Sequence, residues 1–513
     1  MTNKPSPAAS SSKSPQDSKQ PTAVVIGSGF GGLAAAIRLS ARGYKVTVLE
    51  RLHGPGGRAL VEERDGHIFD LGPTIITAPY LFEELWALCG KTLSDDVNLV
   101  PMDPFYQIRF DDGRVFNYTG DIDQMRAEVA KFNPADVDAY NRYLKVSETI
   151  YKTAFEDLAA VPFDSLWFTL KCAPEMIKLD GHRTVFGKVS DYFSDPSLRT
   201  VFSFHPLLIG GNPLTTTAYY CLIAHLERLH GVHFAMGGTG SLVKGMVGLI
   251  EGQGGEIRYD SEVSGILSSE GKATGVRLAS GEELAADLVI SNADSAWTYR
   301  HLMDGKPANR WSPAKIDRTS YSMGLFVWYF GTKTKFDDVY HHVMLLGPRY
   351  EGLLKDIFTN KKLTEDFSLY LHRPSATDPS LAPEGGDTFY VLSPVPNLDS
   401  GMNWEEEGER YRAAIQKRLE DTIMPGLGDA LSTSFFFTPR DFETRFLSMK
   451  GAGFGMEPKL FQSAWFRPHN RSEEMENLFL VGAGTHPGAG VPGVLSSAKI
   501  LDEIAPDPSV FQR

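Results

Sequence analysis

The chain has 513 residues, 42 % of them hydrophobic, which is enough for substantial cores and leaves room for two or three domains. Lys and Arg total 51 against 64 Asp and Glu, a formal net charge of -13; this excludes an electrostatic footprint for nucleic acid and opposes adhesion to an anionic bilayer by charge alone. The three cysteines, Cys89, Cys172 and Cys221, form no CxxC pair, so neither a disulfide framework nor a zinc site is expected, and they read as reduced thiols of a cytosolic protein.

Residues 1–20 carry Ser, Pro, Lys and Gln but no apolar core of a signal peptide, and a disordered tail is expected there. No run of 18 apolar residues occurs, so any membrane contact is expected to be peripheral.

Ala23 to Ile26 form an apolar run, GSGFGG follows at 27–32, and Leu33 to Arg42 is Ala-rich with helical spacing up to Gly43. Lys45 to Leu49 then reads as a second strand ending at Glu50, which makes a βαβ unit. In such a unit Gly27 allows a tight turn, Gly29 lets backbone approach a pyrophosphate, and Gly32 lets the helix pack close to the strand. The diphosphate would sit on free N–H groups at the positive end of the helix. Glu50, 18 residues past Gly32, can accept hydrogen bonds from an adenosine ribose and would repel a 2′-phosphate, which disfavours NADP.

After Glu50 come Gly56-Gly57-Arg58 and Asp70-Leu71-Gly72-Pro73. Paired glycines let main chain lie against a flat or charged ligand, and Arg58 supplies a cation for phosphate oxygens. A nicotinamide enzyme has no need of this second element, whereas a long, buried FAD does.

These residues resemble the bacterial and fungal phytoene desaturases, FAD-containing carotenoid desaturases related to the amine-oxidase-like flavoproteins. The similarity covers nearly the whole chain after the tail. It rests on the first turn, GPGGRA, FDLGPTIIT, FSFHPLLIGGNP at 202–213, GVHFAMGGTGSLVKGM at 231–246, SNAD at 291–294, SMGLFVWYFG at 322–331, FSLYLHRPSATDPSLAPEG from 367, QSAWFRPHN at 462–470 and the closing VGAGTHPGAGVPGV.

The resemblance implies an α/β fold: a discontinuous Rossmann-like FAD-binding domain of the amine-oxidase type (21–80, 236–299 and 474–513) and an α+β substrate domain with a helical membrane-facing part (81–235 and 300–473). It implies that the closing segment folds back beside the flavin. Leu478 to Val481 would add a strand near the first, Gly482-Ala483-Gly484 would pass the ribityl and phosphate portion, and Pro492 suits the first position of a final helix. With Gly493 and Val494, that helix N-terminus would favour negative charge developing on the reduced flavin. The resemblance extends the cofactor-binding set to Gly31, Arg51, Gly72, Pro73, Thr74, Asn292, Gly488 and Val491.

Residues 237–266 offer an N-cap at Thr239 or Ser241, an amphipathic run to Ile250 and strands on either side of Asp260. By resemblance, the backbone of Val263 meets the adenine. Asn292-Ala293-Asp294 ends a further strand, DLVIS.

The blocks at roughly 81–230 and 300–470 are rich in apolar and aromatic residues but hold no recognisable nucleophile, base dyad or metal spacing. A C40 polyene offers no polar handle, so a long apolar tunnel would recognise it and the redox work would fall to the flavin. Its gross transfer energy is on the order of tens of kcal/mol at about 0.8 kcal/mol per CH₂, so it must be loaded from a membrane. FDSLWFTLKCAPEMIKL at 163–179 sets Leu166, Trp167 and Leu170 near Lys171 and Lys178, a pattern that fits either an interfacial segment or a buried helix. By resemblance, 15-cis-phytoene would lose a hydride to FAD from an allylic carbon and a proton from its neighbour, repeatedly, to give neurosporene or lycopene, with a quinone or oxygen taking the electrons. Asp195, Arg199 and His205 are the candidates for the proton step. A C30 or hydroxylated carotenoid substrate, a flavin amine oxidase and a noncatalytic FAD-binding escort are the alternatives. Against the amine oxidase, no TGE-like turn stands where GTHPG does, and the C-terminal portion holds no attachment cysteine.

Overall fold

The structure is a computed structural model that describes residues 20–303 and 309–512. The tail expected over residues 1–20 lies outside the described residues, apart from Gln20.

Strand Thr22–Ile26 is followed by helix Phe30–Ala41 and strand Lys45–Leu49. The helix begins three residues before the apolar spacing suggests, because Gly31 and Gly32 lie inside it. Phe30 through Leu39 are all buried. The Ala-rich stretch has so little bulk that helices Thr239–Gly252 and Val491–Lys499 both pack directly on it. Five parallel strands form the sheet beneath, in the order Leu478–Leu480, Leu288–Ser291, Thr22–Ile26, Lys45–Leu49, Glu256–Arg258. Three segments far apart in the chain thus share one doubly wound sheet. An antiparallel sheet of Val263–Ser269, Lys272–Leu278 and Glu283–Ala285 joins it through a shared apolar cluster.

Helix Thr239–Gly252 has neither of the side-chain caps expected of it. Its N-cap is Gly238, and the Asp70 carboxylate, about 170 residues earlier, accepts from the N–H groups of Thr239 (2.8 Å) and Gly240 (3.2 Å). Thr239 instead donates its hydroxyl to the Pro73 carbonyl at 2.6 Å. A carboxylate at a helix N-terminus satisfies orphan donors from any point in the chain.

The second large sheet has seven strands, ordered Leu431–Phe437, Gly324–Thr332, Asp387–Val395, Leu369–His372, His342–Leu345, Tyr106–Arg109, Val115–Tyr118. All neighbours are antiparallel except His342–Leu345 with Tyr106–Arg109. Gly324–Thr332 is buried at every residue because both faces are covered. Phe326, Trp328 and Phe330 pack into a cluster with helix Trp404–Glu420, whereas Leu325, Val327 and Tyr329 join a cluster on the opposite face. Residues 122–230 fold mainly as helices over the far end of this sheet. Among the described residues no helix is long and apolar enough to cross a membrane.

Candidate active site

One elongated cavity of about 570 Å³ runs from the carboxyl ends of the parallel strands to the seven-stranded sheet and the helices over it. Strands Thr22–Ile26 and Leu478–Leu480 both border Leu288–Ser291, so the turns that follow them leave the sheet on the same edge. There they touch. A Cβ on Gly31 would lie 3.0 Å from both the Cα and the N of Gly482, and the Asn292 amide fills the remaining gap, with its Oδ1 2.5 Å from that Cβ position. Gly27 adopts φ +89°, a left-handed conformation suited to glycine, and a Cβ on Gly32 would sit 2.0 Å from the Gly27 carbonyl oxygen. The early glycine turn and the late one therefore form a single cradle in main chain.

Two helices open onto this cradle with bare N-termini. Phe30–Ala41 has Gly29 as N-cap, and Val491–Lys499 has Gly490. Neither has a side-chain cap or an acidic residue in its first turn. Pro492 stands at the second helical position, one later than expected. Uncapped N–H groups and the positive end of each helix favour the negative parts of a ligand. Glu50, 4 % exposed, accepts from Ser28 N–H at 2.8 Å, Ser28 Oγ at 2.7 Å and Leu52 N–H at 2.9 Å. These bonds fix its carboxylate on the cavity wall, where a ribose hydroxyl can reach it.

The structure puts Gly27, Gly29, Gly31, Glu50, Arg51, Gly56, Gly57, Arg58, Gly72, Pro73 and Thr74 on the cavity wall. Val263, Asn292, Gly482, Val491, Pro492, Gly493 and Val494 line it too. Gly32, Gly484 and Gly488 stand behind the wall and permit close packing. A Cβ on Gly484 would meet Ser295 Oγ at 2.4 Å, and one on Gly488 would meet Arg467 Nη1 at 3.1 Å. Arg58 donates to Ser448 Oγ at 2.6 Å. Burial lowers its guanidinium below the ordinary value, an effect opposed by nearby Asp294. Burial likewise raises Asp294, while Arg58 and backbone N–H groups pull it down.

Beyond the cradle the wall is aliphatic and aromatic. Leu325, Val327, Met344 and Tyr370 come from the large sheet, Ile223 and Leu226 from helix Leu222–His230. Glu227, on the same helix, lines this part and is wholly buried. Its Oε1 accepts from the Tyr106 hydroxyl at 2.8 Å, and its Oε2 lies 3.3 Å from His205 Nε2. A second polar group is Thr74 Oγ1, 2.9 Å from the Tyr390 hydroxyl and 3.1 Å from that of Tyr370.

Asp195, Arg199 and His205 do not line the cavity. Asp195 is the N-cap of helix Pro196–Ser203 and accepts from Ser197 and Leu198 N–H. Arg199 Nε donates to the Phe193 carbonyl at 2.8 Å, and its side chain borders a separate surface cleft. His205 is buried behind Glu227. The first two thus have structural employment, and the third stands one residue removed from the wall.

Helix Leu166–Lys178 is not the buried helix that its sequence allowed: none of its residues is buried. Trp167 is 79 % exposed and Ile177 62 %, and Phe461, 73 % exposed, follows in a neighbouring segment. The helix touches the Ala464–Phe466 turn, and Met176, Ser463 and Ala464 line the cavity. The apolar surface therefore borders one end of the cavity.

The model of the flavin containing amine oxidoreductases matches residues 30–500. The chain belongs to that family. FAD is the cofactor, and the cradle of glycines and bare helix ends offers the uncapped N–H groups and close main chain that a dinucleotide needs. Among curated members, the neurosporene-forming phytoene desaturase of Rhodobacter capsulatus is 49 % identical over 491 residues, covering 94 % of each chain. The lycopene-forming phytoene desaturase of Pantoea ananas is 48 % identical, covering 93 % of this chain and 97 % of its own. At this similarity the chain belongs, within the flavin amine oxidoreductases, to the bacterial phytoene desaturases. Among solved structures, cyclohexylamine oxidase from Brevibacterium oxydans superposes with a TM-score of 0.62 at 17 % identity, covering 96 % of this chain and all of its own. That likeness carries the fold alone.

Two residues beside the cavity, Glu227 and Arg467, carry little local signal in the sequence. Glu227 sits in LIAHLERLH, where it reads as the polar face of an amphipathic helix. Arg467, 1 % exposed, donates to the Met456 and Ala483 carbonyls and leaves Nε and Nη1 without a partner beside the closing glycine turn. Its only trace in the sequence is an arginine within an otherwise apolar and aromatic run.

Proposed function

We propose that this flavoprotein introduces successive double bonds into 15-cis-phytoene, forming neurosporene or lycopene. One observation carries the reading: the glycine cradle opens directly into a chamber lined mainly by aliphatic and aromatic side chains. A C40 polyene suits such walls, whereas a small amine would leave them unfilled. Curated relatives named for C30 substrates, such as the 4,4'-diapophytoene desaturase of Methylomonas, are 33 % identical, well below the 49 % of the Rhodobacter enzyme, which favours the C40 substrate.

Bound FAD supplies a two-electron acceptor for the hydride lost from an allylic C–H bond. Among the described residues four carboxylates line the cavity: Glu50, Glu227, Glu262 and Asp294. Three of them stand at the nucleotide end. We assign the proton from the neighbouring carbon to Glu227, whose Oε1 is held by the Tyr106 hydroxyl while its Oε2 has no hydrogen-bond partner among the described residues. The electrons then pass to a quinone or oxygen. The protein works as a cytoplasmic enzyme held peripherally on a membrane, with the exposed face of Leu166–Lys178 and Phe461 as its docking surface. Anaerobic addition of phytoene in liposomes to the FAD-loaded protein tests the reading. Loss of the oxidised flavin absorbance and formation of desaturated carotenoid are the expected result; an unchanged spectrum with competent substrate would remove it.

A further inference from the structure

Strands His342–Leu345 and Leu369–His372 run antiparallel with Met344 opposite Tyr370 and His342 opposite His372. Met344 and Tyr370 line the cavity. By the two-residue period of a strand, the histidines continue the same face one pair beyond the cavity's end. His341 joins them. Their exposures are 9 % (His341), 2 % (His342) and 1 % (His372), and one ligand atom from each can be chosen so that all three lie within 4.8 Å of one another. Two rings have their Nδ1 engaged: His341 with Thr377 Oγ1 at 2.6 Å and His342 with the Tyr370 hydroxyl at 2.7 Å. The remaining nitrogens, Nε2 of His341 and His342 and both of His372, are buried without a side-chain partner among the described residues, although the His341 main chain lies close to the His372 ring.

We propose that His341, His342 and His372 bind one transition-metal ion of the zinc type, at a site separate from the flavin. A metal-binding imidazole commonly turns its second nitrogen to an oxygen partner that fixes tautomer and ring orientation. Thr377 and Tyr370 stand in that place for two of the rings, which leaves their Nε2 atoms as the candidate ligands. An all-imidazole set suits zinc and its late first-row neighbours and disfavours magnesium and calcium, which take oxygen ligands. Three protein ligands leave a fourth position for water or hydroxide. Tetrahedral bonds of about 2.0–2.1 Å set ligand nitrogens roughly 3.3 Å apart, so binding draws the rings together from a spacing of up to 4.8 Å. The cation next in the chain, Arg373, is already engaged by Asp387 at 3.0 Å, Asp337 at 3.2 Å and the Val339 carbonyl at 2.9 Å, so its charge is compensated. A proton relay through the rings would need each imidazole to hydrogen-bond the next; among the described residues no such bond joins the three. The ion would instead pin two adjacent strands under Tyr370, which bonds through Thr74 to Tyr390 on the cavity wall.

The full-length, FAD-loaded protein, dialysed against a chelator and then given zinc(II), is expected to retain one equivalent per chain. Cobalt(II) in its place should give the ligand-field absorption of a four-coordinate site, and X-ray absorption should count three imidazoles on the wild-type metal. The His341→Gln/His372→Gln double variant should keep its flavin absorbance and lose the equivalent of metal. No bound zinc and no cobalt band in the wild type would overturn the proposal, as would metal retained in full by the double variant. If that variant does not fold, the imidazole count on the wild type decides alone.

Discussion

At the nucleotide end the cavity is walled by main chain. Gly31 and Gly482 approach so closely that no Cβ fits between them, and two helices present bare N–H groups. At the other end the wall is side chain, from Leu325 and Val327 on the large sheet to Ile223 and Leu226 on a helix, with one buried carboxylate, Glu227, among them. A dinucleotide has fixed charges that need donors at fixed points, so its site tolerates little change in backbone geometry. A polyene needs only shape and exclusion of water, so its site can be redrawn by exchanging one apolar residue for another. The first end should thus fail all at once on substitution, and the second by degrees.

The sharpest break is expected at the cradle. Gly31→Val places a branched side chain 2.5 Å from Asn292 Oδ1 and 3.0 Å from the Gly482 backbone, and the second of these, being main chain, has no side-chain end to swing aside. The purified variant should lack flavin absorbance and all turnover. Gly248→Ala, on a helix position where a Cβ meets nothing within 4 Å, should remain yellow and fully active. A yellow Gly31→Val protein would show that the two turns are not one site.

Next in size is the single carboxylate of the apolar end. Glu227→Gln preserves shape and the bond from Tyr106 but removes the proposed proton acceptor. Desaturation is expected to fall by roughly 10²–10⁴-fold while the flavin content is unchanged, as measured by product chromatography against flavin absorbance. Equal turnover would return the proton step to solvent or to another group.

The same contrast governs what could be seen in the sequence. Gly27, Gly29, Gly32 and Glu50 announce the nucleotide end because each is dictated by local backbone geometry at a fixed spacing. The strand Lys45–Leu49 and the closing strand Leu478–Leu480 follow from short apolar runs next to those glycines. At the apolar end no residue is fixed by spacing, since Leu226 as tunnel wall reads the same as Leu226 as core. Glu227 and Arg467 matter through partners on other segments, which no periodicity reveals. The Asp195-Pro196 pair did carry a signal, that of a helix start, and its carboxylate is spent there. Asp70 is the converse case: an acid beside a glycine turn that caps a helix far along the chain.

Asp70 gives a prediction with a definite pH window. Burial pushes its carboxyl up to about 6 from the ordinary 3.8, although two backbone N–H groups pull it back. The folded state therefore holds this proton more tightly than the unfolded state does. Its contribution to stability is fully present below about pH 4 and is lost as pH rises through about 6. A shift of roughly two units corresponds to something on the order of 3 kcal/mol. Denaturant midpoints of wild type and Asp70→Asn, compared from pH 4 to 8, should diverge within that window, with the wild type losing ground as pH rises, and run parallel above it. Buried histidines such as His486, lowered to about 4 by burial, act in the opposite sense but equally in both proteins, so they cancel in the difference. Parallel curves throughout would place Asp70 in a more solvated setting than its burial implies.

The smallest effect belongs to the outer rim of the apolar end. Trp167 and Phe461 are 79 % and 73 % exposed and are bound into no core, so their replacement should leave folding and flavin content intact. An indole leaving a membrane interface gives up only part of its apolar contact area, on the order of 1–3 kcal/mol for a large side chain. Trp167→Glu alone should therefore weaken liposome flotation partially, and Trp167→Glu with Phe461→Glu should abolish it. Turnover on phytoene presented in liposomes should fall in step with flotation. If detergent-dispersed phytoene restores the rate of the double variant, the defect lies in docking and loading and not in the chamber. Flotation equal to wild type in the double variant would remove this face as the route by which substrate enters.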